Sequence, residues 1–408
     1  MVFCGGRGER LRPLTNYLPK PMVDVNGKPF LYYLLHQLSA YGIKRFVLLT
    51  GYLGELISEY FGDGSQWGWQ ITYSHGPTEW QTATRISKVI ADLDEEFLLL
   101  YSDNFAQLHL AELIKLSIKN VSAITLSIAE KSPGNIKIEF DGVVVDYNEN
   151  RTGSGSSHVE IGYSLVVKER IYAHLKDLSN ESFAVVINKL VKDKKVSALL
   201  VKTGYRSISD PVRLEQTSDY LKPKKVLLLD RDGTLNKKSL PGKYINSLSE
   251  FKWIESSRSA LKILAQNGFS FIVITNQAGV SLGKTTVSDL EAIHEQLRID
   301  FESDGLKLLD IYVCTDHWNS NSEFRKPEPG MFFAAAKQHK FRLDQVIYVG
   351  DDIRDGVAAG NAGCKSVLIS SGSLSKSLDK SVLKVAKSLS DLVPTILETY
   401  GKWAELAL

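Results

Sequence analysis

Short apolar runs alternate along the chain with segments in which apolar residues recur every three or four positions. In the first half the apolar runs are RFVLLT (45–50), FLLLYSD (97–103), SAITLSI (122–128) and EIGYSLVV (160–167). The segments PFLYYLLHQLSAYG (29–42) and TATRISKVIADL (82–93) have the period of amphipathic helices. This alternation predicts an α/β fold built on mostly parallel strands.

The same alternation starts again after a basic segment. The second series of predicted strands is KPKKVLLLD (222–230), FSFIVITN (269–276), LDIYVC (309–314), QVIYVGD (345–351) and KSVLI (365–369). In SDYLKPKK (218–225), Pro223 and three lysines separate the end of an apolar helix from a new buried strand. The two halves are not similar to each other. We therefore predict two unrelated α/β domains, residues 1–221 and 222–408.

Composition and charge exclude several classes of function. Of 408 residues, 43% are hydrophobic and 24% charged, which excludes disordered and low-complexity chains. A formal charge of +2 provides no field to recruit nucleic acid or an anionic membrane, so neither is an expected partner. No run of 18 apolar residues occurs, and the opening stretch is too short for a signal peptide. Three cysteines fit a reducing compartment, and we expect a cytoplasmic protein.

A glycine-rich turn follows the opening strand. Gly5, Gly6 and Gly8 allow backbone N–H groups to converge on a polyanion without obstruction by Cβ atoms, although a tight structural turn is the alternative. Lys20 stands between two prolines that stiffen its backbone, which suits a fixed cation directed at a transferred phosphate. Together the two features predict a phosphate-binding site.

The run GGRGERLRPLTNYLPKPMVDVNGKPFLYYLL resembles the N-terminus of sugar-nucleotide pyrophosphorylases, especially guanylyltransferases for mannose or heptose 1-phosphate. The match is specific over residues 3–35 and collinear to about residue 221. It implies a Rossmann-like domain with a mixed sheet, in which the glycines cradle a nucleoside triphosphate. It further implies that Arg10 grips the leaving pyrophosphate, that Lys20 neutralises the α-phosphate and that Asp103 binds Mg²⁺. A strand-end aspartate can also cap a helix.

Three departures from the family pattern affect this domain. Residues 79–85 lack the glycine that helps to hold the base. The identity of the nucleotide is therefore left open, and we expect GTP. Residues 204–210 lack an aspartate in register for a second metal ligand, and Asp210 is two residues away and suits a helix cap. Glu160 stands in the sugar site as a hydroxyl ligand. The alternative to an active transferase is a degraded domain that only binds a nucleotide sugar or serves as an interaction surface.

Polar motifs end several strands of the second domain. Asp230 and Asp232 end VLLLD, and two carboxylates at this spacing alone could also form a metal-chelating turn or a cap. Thr275 ends the next strand, Lys326 precedes a helix, and Asp351 ends VIYVG. In this order the motifs resemble the haloacid dehalogenase superfamily of aspartate-nucleophile phosphatases.

The resemblance implies a role for each group. Asp230 attacks phosphorus to give an aspartyl-phosphate, and Asp232 protonates the leaving alkoxide and then deprotonates water. Thr275 and Lys326 bind the phosphoryl oxygens. Asp230, the backbone carbonyl of Asp232 and Asp351 hold Mg²⁺.

Neighbouring residues are assigned from the same motifs. Asn276 and Arg325 are predicted to line the substrate site, Asp352 to support it, and Asp355 to act there or to cap the following helix. Only 43 residues separate Asp232 from Thr275, and about 50 separate Thr275 from Lys326, too few for a large cap domain. We therefore expect a capless Rossmannoid domain with an open site.

The segments DRDGTLN, TNQAGVSLG and RKPEPGMF resemble the branch that contains heptose-1,7-bisphosphate and histidinol-phosphate phosphatases. Members of this branch often hold a structural zinc with one Cys-x-His and one Cys-x-Cys pair. Here Cys314 and His317 have the wrong spacing, and Ser322 and Phe324 occupy the later pair. We expect no zinc.

Two catalytic domains in one chain suggest a shared metabolite, and heptose bisphosphate fits both. The phosphatase would remove its 7-phosphate, and the transferase would convert the 1-phosphate to an NDP-heptose, expected to be GDP-heptose, for lipopolysaccharide, capsule or S-layer glycans. The alternative pairs a phosphatase for histidinol phosphate or another sugar phosphate with a mannose-1-phosphate guanylyltransferase. The sequence leaves open the anomer and any homo-oligomer.

Overall fold

The computed structural model describes residues 1–149, 155–176, 179–240, 243–372 and 377–407. Within these residues the chain forms two compact units, Met1–Leu221 and Lys222–Leu408. Each unit consists of strands and helices that alternate along the chain, and the predicted α/β fold class is confirmed. Among the helices described, none combines the length and the apolar character needed to cross a membrane.

The strands of the first unit are β1 (Val2–Cys4), β2 (Asp24–Val25), β3 (Lys28–Pro29), β4 (Arg45–Thr50), β5 (Gln70–His75), β6 (Glu96–Tyr101), β7 (Asn104–Ala106), β8 (Ile124–Glu130), β9 (Ile136–Ile138), β10 (Val144–Tyr147), β11 (His158–Val167), β12 (Val196–Leu200) and β13 (Tyr205–Ser207). Its helices are α1 (Phe30–Ala40), α2 (Gly54–Phe61), α3 (Thr82–Ser87), α4 (Leu110–Lys119), α5 (Lys168–Lys176), α6 (Phe183–Lys192) and α7 (Pro211–Leu221).

The large sheet of the first unit is mixed. Its strands follow the order β10-β9-β11-β6-β1-β4-β5, with β8 also paired to β11 and β12 to β8. Strand β1 runs parallel to β4 and β6, so that Val2 pairs with Leu48 on one side and Leu100 on the other. Strand β11 is antiparallel to both β6 and β8. The carboxyl ends of β1, β4 and β6 therefore meet at one edge of the sheet.

The helix predicted over residues 82–93 is shorter in the structure. It ends at Ser87, and Ile90–Asp92 form a separate 3₁₀ turn. Val89 leaves the helical region with a φ of −123° and donates its N–H to the carbonyl of Ile86, three residues back. This tighter bond ends the α-helical pattern.

The strands of the second unit are β14 (Val226–Leu229), β15 (Ser270–Asn276), β16 (Lys307–Cys314), β17 (Ile347–Gly350), β18 (Lys365–Ile369) and β19 (Val382–Ala386). Its helices are α8 (Glu255–Gln266), α9 (Val287–Ser303), α10 (Gly330–His339), α11 (Ile353–Ala362) and α12 (Leu389–Ala407). The strands pair in the order β16-β15-β14-β17-β18-β19, and every pairing is parallel.

Helices cover both faces of this second sheet. Leu227 and Leu229 of β14 belong to the same core as α8, α9 and α12. Val226 and Leu228, on the opposite face of the strand, belong to the core that includes α10 and α11. Because both of its faces are buried, the central strand β14 is apolar throughout, and the first polar side chain appears where it ends, at Asp230.

Candidate active sites

The central strands of the second unit bring the predicted phosphatase groups to one edge. Asp230 directly follows β14, Thr275 lies near the end of β15, and Asp351 directly follows β17. Because β14 is parallel to both neighbours, these ends open into the same crevice. The crevice contains a cavity of about 500 Å³, and the predicted residues that line it are Asp230, Asp232, Thr275, Asn276, Arg325, Lys326, Asp351, Asp352 and Asp355.

Lys326 is the buried cation of this cavity. Its Nζ donates to Asp230 Oδ1 over 2.7 Å, to Tyr348 Oη over 2.6 Å and to Asp355 Oδ1 over 2.9 Å. An ammonium group has three N–H donors, so these three partners use all of them. Lys326 is 6% exposed, and its charge is balanced by two carboxylates instead of by water.

Burial and charge act in opposite directions on these groups. Burial raises the pKa of Asp230. The positive charge of Lys326 lowers this pKa in part, and the negative charge of Asp355 raises it again. Burial also raises the pKa of Asp351, against the effect of Lys238. For Lys326 burial would lower the pKa, but Asp230 and Asp355 raise it above its ordinary value. The three carboxylates of Asp230, Asp351 and Asp355 thus pair with two lysines, Lys326 and Lys238, which favours binding of a further cation there.

The carboxylate oxygens of Asp230, Asp351 and Asp355 lie within 4.8 Å of one another. Oxygen donors at this spacing suit a hard cation such as Mg²⁺. Lys238 Nζ already lies 2.8 Å from Asp351 Oδ2, which shows that a cation is accommodated at this edge. Gly233 has a φ of +92°, and a Cβ there would lie 2.0 Å from Asp351 Oδ2. The backbone of the DRDG turn thus passes too close to Asp351 for any side chain.

Asp232 has a different environment from Asp230. Its carboxylate accepts from Arg231 Nη2 at 2.9 Å, from Asn236 Nδ2 at 2.9 Å and from Gln277 Nε2 at 2.7 Å. Burial would raise the pKa of Asp232, but Arg231 and these hydrogen bonds hold it below its ordinary value. Asp232 is therefore ionised in this arrangement.

Arg231 is itself held by a buried histidine. Its side chain is fully buried, and Nη1 lies 3.1 Å from Nε2 of His294 on α9. Since a guanidinium can only donate, His294 Nε2 accepts and the imidazole is neutral. Burial and then Arg231 lower the pKa of His294 to about 4.

The remaining predicted phosphatase residues lie at the same cavity. The buried Thr275 Oγ1 accepts from Gln277 Nε2 at 2.9 Å. Asn276 exchanges two hydrogen bonds with the backbone of Lys326, one from Nδ2 to the carbonyl at 3.0 Å and one from the N–H to Oδ1 at 3.1 Å. Arg325 donates from Nη1 to the carbonyl of Asp316. Asn276 thereby ties the end of β15 to the segment that carries Lys326.

Two groups of this site were missed or underrated from the sequence. Asp355 does cap α11, because its Oδ2 accepts from the N–H groups of Asp351 and Asp352, yet its Oδ1 contacts Lys326. Tyr348, within β17, was not predicted at all. A phenol among the apolar residues of a buried strand was the signal that could have identified it.

The positions that correspond to zinc ligands in related phosphatases do not all contact one another in the described residues. Cys314 Sγ donates to Asp316 Oδ2 at 3.6 Å and lies 4.0 Å from Ser322 Oγ. The ring of His317 packs on Trp318, with centroids 4.0 Å apart. The absence of zinc stays a prediction.

In the first unit the glycine turn and the strand ends enclose a second cavity. Its volume is about 570 Å³, and the predicted residues that line it are Gly5, Gly6, Gly8, Arg10, Lys20 and Asp103. Lys20 Nζ donates to Asp103 Oδ2 at 2.8 Å. Gly8 has a φ of +64°, and a Cβ there would lie 2.9 Å from the Cβ of Lys20. The glycine thus allows the turn to approach the lysine.

Glu160 and Asp210 stand apart from this cavity lining. Glu160 Oε2 accepts from Tyr147 Oη at 2.9 Å, and its N–H donates to Asn135 Oδ1 at 3.2 Å. Asp210 Oδ1 accepts from the N–H of Arg213, and its Oδ2 pairs with the Arg213 side chain at 3.3 Å. Asp210 is therefore a cap of α7, the alternative that the sequence left open for it.

Comparisons with known proteins match the two units separately. The "Nucleotidyl transferase" family model matches residues 1–152, and "Polynucleotide kinase 3 phosphatase" matches residues 225–376. A D-glycero-beta-D-manno-heptose-1,7-bisphosphate 7-phosphatase of Pseudomonas putida is 34% identical over 168 residues, which are 41% of this chain and 95% of that protein. The predicted pair of a nucleotidyltransferase domain and a phosphatase domain is confirmed.

Two further relatives bear on specificity. The D-glycero-alpha-D-manno-heptose-1,7-bisphosphate 7-phosphatase of Mycobacterium bovis is 33% identical over 153 residues, covering 36% of this chain and 80% of that protein. A probable glucose-1-phosphate cytidylyltransferase of Bacillus subtilis is 29% identical over 221 residues, covering 48% of this chain and 85% of that protein. Relatives named for either heptose anomer are thus similar to this chain to nearly the same degree.

Proposed function

Since the chain belongs, through its second unit, to the family of D-glycero-D-manno-heptose-1,7-bisphosphate 7-phosphatases, we propose that it makes an NDP-heptose in two steps. The second unit removes the 7-phosphate of heptose 1,7-bisphosphate. The first unit then joins the heptose 1-phosphate to the nucleotidyl group of a nucleoside triphosphate. The observation that carries the proposal is the convergence of Asp230, Asp232 and Lys326 on one cavity, in a chain that also has a nucleotidyltransferase domain.

The phosphatase step follows from the contacts in the second unit. A carboxylate oxygen of Asp230 bonds to phosphorus while the bond from phosphorus to the sugar oxygen breaks. Asp232 supplies a proton to that sugar oxygen. Water then attacks the aspartyl-phosphate, Asp232 takes its proton, and inorganic phosphate leaves. Thr275 binds the phosphoryl oxygens, and the charge of Lys326 beside Asp230 offsets theirs. Mg²⁺ bound by Asp230, Asp351 and the carbonyl of Asp232, with Asp355 nearby, would offset the charge between nucleophile and phosphate.

The arrangement of Asp232 bears on the second half of this reaction. Arg231, Asn236 and Gln277 hold it as a carboxylate, which is the form that accepts a proton from water. In the first half of the reaction Asp232 must instead be protonated, because it gives a proton to the leaving sugar oxygen. The hydrogen bonds from Arg231 therefore favour hydrolysis of the aspartyl-phosphate more than its formation.

The transferase step uses the cavity of the first unit. An oxygen of heptose 1-phosphate bonds to the α-phosphorus of the nucleoside triphosphate, and the bond to pyrophosphate breaks. The loop that binds the phosphates contains Gly5, Gly6 and Gly8. Arg10 binds the leaving pyrophosphate, and Lys20 offsets negative charge at the α-phosphate. Asp103, 2.8 Å from Lys20, is the carboxylate that would hold Mg²⁺. We expect GTP as the nucleotide.

The two steps are chemically linked because the product of one is the substrate of the other. Covalent linkage raises the local concentration of the intermediate, which nevertheless diffuses freely. Glu160, which accepts from Tyr147, is our candidate ligand for a sugar hydroxyl. This sequence of reactions would supply an activated heptose to a glycosyltransferase.

The test is a coupled assay on the purified full-length chain with Mg²⁺. We expect release of one phosphate from each heptose 1,7-bisphosphate, with both anomers tried separately, and then pyrophosphate release once GTP is added, with ATP, CTP and UTP as alternatives. Lys20→Ala should stop pyrophosphate release and leave phosphate release intact. Asp230→Asn should stop phosphate release, yet pyrophosphate should still form from added heptose 1-phosphate.

Other outcomes would favour other functions. Hydrolysis of histidinol phosphate, without that of heptose bisphosphate, would replace the proposed phosphatase substrate. The engagement of Asp210 as a helix cap favours a second candidate, a first unit that only binds a nucleotide sugar. Tight nucleotide binding without any pyrophosphate release would support that candidate and contradict nucleotidyl transfer.

A further inference from the structure

Arg85 lies directly against the glycine turn of the first unit. It belongs to α3, is 5% exposed and lines the same cavity as Gly5 and Lys20. A Cβ on Gly5 would lie 2.7 Å from the Cζ atom of Arg85, and a Cβ on Gly51 would lie 2.8 Å from its Nη2. The guanidinium therefore occupies the space that side chains at both glycines would fill, and it packs against the backbone of the turn.

Backbone carbonyls fix the position of this guanidinium. Nε donates to the carbonyl of Trp80 at 3.0 Å, Nη1 to that of Thr50 at 2.6 Å and Nη2 to that of Pro77 at 2.6 Å. These carbonyls come from the end of β4 and from the segment after β5. A guanidinium has five N–H bonds, so one on Nη1 and one on Nη2 remain. Arg85 thus ties two loops to the glycine turn and keeps donors for another partner.

In the part of the chain that the structure describes, no carboxylate forms an ion pair with Arg85, and Glu79 acts on its charge only from a greater distance. Among the described residues, no Asp or Glu oxygen lies within 4.0 Å of its nitrogens, whereas Lys20 in the same cavity is paired with Asp103. Arginine keeps its proton in proteins, so the guanidinium is a permanent cation. Carbonyl dipoles solvate it but do not cancel its charge. A buried cation of this kind attracts anionic groups that enter the cavity.

We propose that Arg85 is a nucleotide-binding residue that holds the phosphates of a nucleoside triphosphate from beneath the glycine turn. The inference rests on the proposed nucleotidyl transfer and deepens it. Arg85 lies within residues 79–85, the segment that lacks the glycine of related transferases. The fixed cation beneath Gly5 attracts the phosphates of the nucleotide. Part of the affinity for the nucleotide then comes from this charge instead of from contacts to the base.

The test is nucleotide affinity of the full-length chain, measured by calorimetry with GTP, ATP, CTP and UTP in the presence of Mg²⁺. Arg85→Met removes the charge at similar volume, and Arg85→Lys keeps the charge but lacks the planar fork of donors that reaches three separated carbonyls. Arg170→Met is the matched control, because Arg170 also donates to a carbonyl, that of Ser122 at 2.6 Å, but does not line the cavity. Thermal unfolding followed by circular dichroism verifies that the first unit of each variant is folded.

We expect Arg85→Met to weaken binding of the preferred nucleotide at least tenfold, Arg85→Lys to stay within threefold of the wild type, and Arg170→Met to change nothing. Equal affinities of Arg85→Met and wild type would overturn the inference. So would an Arg85→Lys variant as weak as Arg85→Met, because the residue would then only tie the loops together. If the wild type bound none of the four nucleotides, the proposed transferase would fail together with this role.

Discussion

Lys326 Nζ lies 2.7 Å from Asp230 Oδ1, and both residues are more than nine-tenths buried. The pair is separated by 96 positions along the chain. Lys402 and Glu398 form a pair of the same length, 2.7 Å, on an exposed helix face. The two pairs have equal lengths but different electrostatic strength, because water screens the pair of Lys402 and Glu398 and does not reach the pair of Lys326 and Asp230.

Lys326→Met should abolish phosphatase activity. Removal of the ammonium leaves Asp230 and Asp355 as neighbouring buried carboxylates without their cation, and the phosphoryl group loses a neighbouring positive charge. We expect kcat/KM for phosphate release to fall by at least about 1000-fold. Pyrophosphate formation from added heptose 1-phosphate should persist. Lys402→Met is the control and should leave both activities unchanged, and a Lys326→Met variant with more than a tenth of wild-type activity would contradict the assigned role.

Tyr348→Phe should slow phosphate release without abolishing it. The hydroxyl accepts from Lys326 and donates to the carbonyl of Ile274 at 3.1 Å, so its loss leaves one donor of the lysine unpaired. We expect kcat to fall about threefold to tenfold, KM to change little, and the free energy of unfolding to drop by about 1 kcal/mol.

Tyr400→Phe provides the comparison for this variant. The buried hydroxyl of Tyr400 also donates to a carbonyl, that of Val226, but it does not touch Lys326. Its loss should lower stability by a similar amount and leave kcat unchanged. If kcat responded equally to both substitutions, Tyr348 would have no specific part in positioning Lys326.

Gly233→Ala should damage the phosphatase site from its backbone. The methyl group would lie 2.0 Å from Asp351 Oδ2, at a residue whose φ is +92°. We expect phosphate release to fall about 100-fold and the free energy of unfolding to drop by about 2 kcal/mol. Enzyme assays and urea unfolding measure the two effects. Gly401→Ala, where no atom lies within 4 Å, should instead stabilise the chain slightly.

His294→Gln should change how stability depends on pH. The pKa of His294 is lowered to about 4 in the folded protein, while an unfolded histidine titrates near about 6.5. Between these values the unfolded chain binds more protons, so His294 makes the wild type lose stability as the pH falls from 6.5 to 4. The neutral form of His294 thus contributes about 3 kcal/mol to the free energy of unfolding. This contribution is fully present above the pKa of the unfolded chain.

Urea unfolding at a series of pH values tests this expectation. Glutamine keeps an acceptor for Arg231 but cannot be protonated. The difference in stability between variant and wild type should be constant above pH 7 and should shift in favour of the variant as the pH falls. Parallel curves over the whole range would show that His294 does not titrate in this way.

The sequence by itself determined the fold class and most of the residues at the two cavities. The run RFVLLT coincides with β4 and KSVLI with β18, because the inner residues of strands buried on both faces are mostly apolar. Polar residues that follow such runs must lie at the carboxyl ends of the strands. In parallel sheets these ends share one edge, so Asp230 and Asp351 could be placed together without coordinates.

Tertiary structure decided which groups contact one another. Asp355 has the local signature of a helix cap, and only the packing of α11 against β17 adds its contact with Lys326. Arg85 lies in a segment that suggested a lost function, whereas the fold places its charge beneath Gly5. Periodicity reports which face of an element is buried. It does not report which side chain from a distant segment meets that face, because that depends on how whole elements pack.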